Sequence, residues 1–135
     1  DVAPSRGLGD VYKRQYLYSC LQKQTMKDAS AVPAEAAISA ATKDGYAALG
    51  FKGGTLEEGQ FADAVLIDLH APNMRPLSDV RKNLVYSADN ANVLMTVSGG
   101  KIVYERGKYF IGESLDKIYS ECEKRKNRLM AQAGF

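Results

Sequence analysis

The stretch from Gly53 to Asp68 constrains this chain more than any other, because turn chemistry runs there straight into an apolar run. Gly53, Gly54 and Gly59 admit positive backbone φ, so the chain can reverse tightly. Ala64-Val65-Leu66-Ile67 is apolar at successive positions, the pattern of a strand covered on both faces. Asp63 stands immediately before it, where an aspartate can bond nearby backbone amides and set the strand's entry. Upstream the pattern is helical; downstream it is strand and turn. The stretch is a seam between two architectures.

Residues 1–15 show neither periodicity. Ser5-Arg6-Gly7-Leu8-Gly9-Asp10-Val11-Tyr12-Lys13-Arg14-Gln15 resembles translated library-adapter sequence, and the expectation is a non-native leader, disordered or loosely attached. From Tyr16 the pattern is helical, with Leu17, Cys20 and Leu21 at i, i+3 and i+4. Residues 26–32 read as a loop. Pro33 fits a first helical turn and Glu35 suits its positive end. Ala34, Ala37, Ile38 and Ala41 then make one stripe, with Ala36 and Ala40 beside it. Asp44 is placed to cap a second short helix over residues 45–49, which Gly50 ends.

Beyond the seam, two prolines mark residues 71–76 as a loop, and Leu84-Val85-Tyr86 reads as a short strand. Residues 93–98 and 101–105 flank Gly99-Gly100, the signature of a two-residue hairpin. Arg106-Gly107 turns the chain again into residues 108–111, giving a small antiparallel meander. Residues 114–132 form an amphipathic helix with Leu115, Ile118, Tyr119, Cys122 and Leu129 on one stripe. Asp116, Lys117, Glu121, Glu123, Lys124 and Arg128 take the wet side. Nothing repeats at a fixed period.

With 135 residues this is one domain's worth of chain, and 45% hydrophobic with 25% charged residues is ordinary for a globular protein. A net charge of +2 gives no reason to expect a nucleic-acid or membrane partner. No apolar run is long enough to span a bilayer, and no signal-peptide pattern opens the chain. Cys20 and Cys122 lie far apart in sequence and suggest no disulfide framework, so the expected setting is the reduced cytoplasm.

Leu49-Gly50-Phe51, the Gly53-Gly54-Thr55-Leu56 turn and the run from Gly59 to Asp68 together resemble the C-terminal region of metal-dependent amidohydrolases. The branch most similar is that of the methylthioadenosine/S-adenosylhomocysteine deaminases and triazine chlorohydrolases. The resemblance continues through Asn83-Leu84-Val85-Tyr86-Ser87-Ala88 and Val97-Ser98-Gly99-Gly100-Lys101-Ile102-Val103 into the terminal helix, covering residues 16–135. It implies an α+β fragment of a (β/α)₈-barrel enzyme. Residues 16–52 would be the last barrel-associated helices, 53–112 part of a small composite β-sandwich domain, and 113–135 a C-terminal helix. In the family that β domain also uses N-terminal strands, so an unpaired edge or uncovered apolar face is expected, with self-association as its hazard.

The resemblance also implies a mechanism. One divalent metal, zinc or iron, is held by a His-x-His pair, two further histidines and an aspartate at the C-terminal ends of barrel strands. It lowers the pKa of a bound water, which attacks an amidine-like carbon and expels ammonia. This chain has one histidine, His70, and it stands at none of those positions. The family's aspartate would fall upstream of Tyr16; Asp10 lies within the suspected adapter stretch, and the role is not transferred to it.

The remaining groups are read as structural. His70 is a strand-end residue, and Cys20, Cys122 and His70 lack the close spacing of a zinc set. Lys124-Arg125-Lys126 with Arg128 is a solvated helix face, because acidic residues interleave it. Gly53-Gly54 and Gly99-Gly100 lack a phosphate-loop context. Ser19, Ser78, Ser87 and Ser98 have no histidine partner pattern, and Glu57-Glu58 face water in a turn. Catalytic, cofactor and metal residues are therefore expected to be none. The expected identity is the C-terminal part of a hydrolytic deaminase of adenosine-like purines, inactive alone, whose partner is its own N-terminal barrel. The alternatives are a binding module or a split-enzyme subunit that holds a partner on its sheet.

Overall fold

The computed structural model describes residues 8–134, with side chains from Lys13 onward. Helix α1 (Leu8–Met26) is followed by α2 (Ala34–Ala41) and α3 (Lys43–Ala48). After the seam come strand β1 (Ala64–Ile67), a 3₁₀ turn (Pro72–Met74), α4 (Val80–Tyr86) and a second 3₁₀ turn (Asn90–Asn92). Strands β2 (Val93–Ser98), β3 (Lys101–Glu105) and β4 (Lys108–Tyr109) precede the terminal helix α5 (Leu115–Ala133). The expected mixture of helix and small antiparallel sheet is present. The sheet has the order β1-β2-β3-β4, antiparallel throughout.

The helical half departs from expectation at its start. The backbone of residues 8–15 is already helical, which corrects the reading of that stretch as lacking regular structure; residues 1–7 lie outside the described residues. The face α1 buries is also different. Gln15 and Ser19, four apart, point inward at 6% and 0% exposure, while Leu17 and Leu21 lie 51% and 56% exposed. Pro33 sits at the N-cap of α2 in an extended conformation rather than inside the first turn. Ala34 and Ala37 are buried and Ile38 half-buried, but Ala41 of the expected stripe is exposed. Asp44 does not cap α3; Thr42 occupies that position, and Asp44 accepts a bond from Ser39 Oγ at 2.6 Å.

At the seam, Gly53 and Gly54 do different work. A Cβ on Gly53 would stand 2.4 Å from the Tyr46 ring, so the residue is needed for close approach rather than for φ. Gly54 has φ +82°, and a Cβ there would meet the Lys43 backbone nitrogen at 2.4 Å. The seam loop is thus pressed against the start of α3.

Residues 84–86 are the last turn of α4, which corrects the strand expected there. The reason is local and tertiary together. Asp79 Oδ1 accepts from the Arg81 and Lys82 amides, satisfying the donors a helix start leaves open. Helical spacing then sends Val85 inward against Ala34 and Ala37, and leaves Leu84 half-buried and Tyr86 at the surface of the joint with α1.

The hairpin forms as its glycines require. Gly99 and Gly100 both have positive φ, the demand of the turn that matches strand twist. A register shift between Thr96 and Val97 puts a bulge in β3, and Tyr104 packs on Tyr109 of β4 with ring centroids 5.0 Å apart. The fourth strand is shorter than the expected 108–111. The expected cover on both faces of β1 is absent. Register places Leu66, Met95, Val97 and Ile102 on one face, and there Leu66 stays 54% and Ile102 42% exposed.

Among the described residues the buried apolar set is small: Ala34, Ala37, Met74, Val85 and Val93. Gln15, Ser19, Asn83, Asn92 and Thr96 are equally buried, so the interior depends on hydrogen bonds as much as on apolar mass. Gly54→Ala should destabilise the chain by more than about 2 kcal/mol, since a left-handed penalty of ~1–2 kcal/mol adds to a backbone clash. Gly59→Ala, also at φ +82° but with nothing within 4 Å, should show the first term alone. Urea titration of the two variants measures both.

Candidate functional site

Among the described residues, three hydrogen-bonded joints link side chains that are distant in sequence. The first is the seam. Tyr46 of α3 donates its hydroxyl to Asp63 Oδ2, and Asp63 Oδ1 accepts the Gly99 amide of the β2–β3 turn at 2.6 Å. Gly100 N donates to Ala62 O at 2.8 Å beside it. Phe61 stands against Tyr46 and Phe51, with ring centroids at 6.1 and 5.9 Å. The Tyr46 hydroxyl, then the Gly99 amide, hold the Asp63 carboxyl below its usual range. The same bond to Asp63, helped by burial, raises the Tyr46 phenol.

The second joint closes the loop that carries His70. Asn73 and Asn92 exchange amide hydrogen bonds at 2.8 and 3.1 Å. Asn92 Oδ1 also accepts the Asp89 amide at 2.8 Å, and Asn73 Nδ2 donates to Ser87 O at 2.9 Å. Asn83 Nδ2 donates to the carbonyl of the fully buried Met74 at 3.0 Å. His70 sits outside this network, exposed, its amide donating to Asp68 Oδ1 at 2.8 Å. Arg75 donates a guanidinium N–H to His70 Nδ1 at 2.8 Å, so that ring nitrogen is an acceptor.

The third joint ties α1 to α4. Ser19 Oγ donates to Val32 O at 2.9 Å, leaving its lone pairs for the Tyr86 hydroxyl, also at 2.9 Å. Lys23 Nζ donates to the same phenol oxygen at 2.9 Å and lies 5.2 Å from the ring centroid. Lys23, donating to the phenol oxygen, lowers Tyr86 from its ordinary value.

Against these joints the candidate groups fall as follows. His70, Cys20 and Cys122 are not assembled: among the described residues no three of His, Cys, Asp and Glu form a metal-holding group. Cys20 is half-buried on α1 and Cys122 exposed on α5, both as free thiols. A divalent ion of the family's kind does not fit this donor set, since the one imidazole faces a guanidinium. The side chain of Asp10 lies outside the described residues. Ser19 is committed to the third joint, Ser87 is half-buried, and Ser78 and Ser98 are exposed. Glu57 and Glu58 are exposed in the turn. Lys124 and Lys126 pair with Glu121 and Glu123 within α5, and Arg125 and Arg128 are exposed. No described helix is long and apolar enough to cross a membrane.

Sequence reasoning placed Asp63 as the group that sets the strand's entry, but its partners lie 17 and 36 residues away rather than next door. Lys23, Tyr46, Asn73, Tyr86 and Asn92 were not distinguishable in sequence. The one usable signal was Asp89, whose spacing to Asn92 makes a capping box.

The Asp63 joint contributes to the acid limb of stability. A depressed carboxyl contributes stability above its unfolded pKa of ~3.9 that is lost as pH falls through the lower folded value. The raised Tyr46 phenol contributes fully below ~10 and loses its share as pH rises past that. Asp63→Asn should flatten the acid limb, and Tyr46→Phe should cost about 1 kcal/mol at neutral pH, discounted for partial exposure. Thermal melts from pH 3 to 8 measure both.

Comparison with known proteins places the arrangement. The model of the amidohydrolase family matches residues 10–103. A 5'-deoxyadenosine deaminase of Methanosphaera stadtmanae is 33% identical over 110 residues, 82% of this chain and 26% of its own length. A 5-methylthioadenosine/S-adenosylhomocysteine deaminase of Moorella thermoacetica is 36% identical over 132 residues, 95% of this chain and 30% of its own. Among solved structures, an adenosine deaminase from Xanthomonas campestris with bound zinc superposes with a TM-score of 0.85 at 27% identity, over 90% of this chain and 28% of that one. A triazine hydrolase variant shares the fold, with a TM-score of 0.64 at 20% identity over 84% of this chain and 25% of its own. The chain thus spans between 26% and 31% of the length of the curated relatives it matches. With the family's model matched across most of its length, the chain belongs to the amidohydrolase family.

Proposed function

We propose that this chain is the C-terminal part of a hydrolytic deaminase of adenosine-like purine derivatives, and that it is catalytically incomplete by itself. The observation that carries this is the coverage of the relatives. Proteins named as 5'-deoxyadenosine or methylthioadenosine/S-adenosylhomocysteine deaminases align with 82% and 95% of this chain, which reaches only 26% and 30% of theirs. In this reading α1 to α3 are the last helices around a (β/α)₈ barrel, the sheet is part of the flanking β domain, and α5 is the helix that follows it. The outward Leu17 and Leu21 on α1, and the open Leu66–Ile102 face, are the surfaces the rest of the protein would cover.

The zinc in the Xanthomonas campestris neighbour supports a divalent ion in the whole protein, held by residues outside this chain. The part described here supplies rigidity. Its seam locks sheet to helices through Tyr46, Asp63 and Gly99, so the surface offered to the barrel has one geometry.

The test has two arms. The isolated chain with added zinc should release no ammonia from adenosine or S-adenosylhomocysteine and retain no stoichiometric metal. Exchanged for the matching segment of the Moorella thermoacetica relative, it should give a folded, zinc-loaded chimera that deaminates the same purines. Turnover by the isolated chain overturns the reading; so does a folded, loaded chimera without ammonia release.

A further inference from the structure

Helix α5 is anchored only at its start. Leu115 and Ile118 are half-buried, and from Tyr119 to Gly134 every residue is exposed. Ser114 caps it by accepting the Lys117 amide, and Gly134 ends it at φ +79°, so it is a complete helix of 19 residues with an uncovered stripe. Its charges are segregated along the axis. Asp116, Glu121 and Glu123, with Glu113 just ahead of the cap, all precede Lys124, and after them come only Lys124, Arg125, Lys126 and Arg128. Lys117 is the one base in the first half, and it is paired with Glu113.

A helix acidic in one half and basic in the other is complementary to an antiparallel copy of itself, whereas a parallel copy sets like charges together. The spacing makes this specific. In a heptad frame with Cys122 at position a, Leu115 and Leu129 also fall at a, and Ile118 and Arg125 at d. Past its half-buried start, antiparallel packing of the helix then sets Tyr119 beside Lys126 of the other copy and Glu121 beside Arg128. Arg128 makes no ion pair among the described residues, and the Tyr119 ring, 62% exposed, can receive a cation.

We propose that α5 is a self-association surface whose partner is α5 of a second copy, running antiparallel. The seam is short and interrupted by Arg125, so the dimer belongs to the weak class that buries under about 1,200 Å². It is a different surface from the sheet edge, and it does not depend on the enzymatic reading.

Sedimentation velocity of the full 135-residue chain over roughly 10–300 µM should show a monomer–dimer equilibrium. In a Cys20→Ser background, bismaleimidoethane should join two chains through Cys122. Arg128→Glu should weaken the dimer about tenfold, and Glu121→Arg with Arg128→Glu should restore it to within about threefold. Circular dichroism checks that these exposed positions leave the helix formed. A monomer throughout, crosslinking that fails at Cys122, or a dimer indifferent to the charge reversals overturns the proposal; the last result would assign association to the sheet.

Discussion

The structure depends on one carboxylate. Asp63 joins a tyrosine on α3 to the backbone of the β2–β3 turn, and these partners lie on either side of the seam. A charged acceptor bonded to two donors is stronger and more directional than a neutral pair, so it fixes orientation as well as distance. The glycines follow from this. With the Tyr46 ring held toward Asp63, any side chain at position 53 would collide with it, and the next residue must cross the Lys43 backbone. The sequence of the seam is therefore set by the bond beneath it.

The rest of the interior works by the same means. Alanine, valine and one methionine supply little apolar volume, and Asn83 and Asn92 are buried beside them. Asn73 and Asn92 satisfy one another and three backbone groups, which is worth having only where the geometry is kept intact. Such a network discriminates against alternative packings more than it adds stability.

What could be read in the sequence follows the range of the interactions. The hairpin at Gly99-Gly100, the seam turn, β1 and the Ser114-capped helix are local, and turn chemistry or periodicity announced each. The single histidine is plain in the sequence; where its ring lies, against Arg75, is not. Residues 84–86 were misread because three consecutive apolar residues suit either state. The choice was made by Asp79 upstream and by α2, which is distant in sequence. The inward face of α1 was misread for a related reason. Ser19 bonds Tyr86, 67 residues away, a partner that no local pattern announces, while Leu17 and Leu21 face outward.

The open sheet face changes the thermodynamics as well as the surface. Leu66 and Ile102 meet water before the chain unfolds, so unfolding adds less apolar hydration than the chain's length implies. A smaller heat-capacity increment flattens the curve of stability against temperature. The denaturant slope, which tracks newly exposed area, falls with it. Covering that face with more protein would restore both to the values of a closed domain.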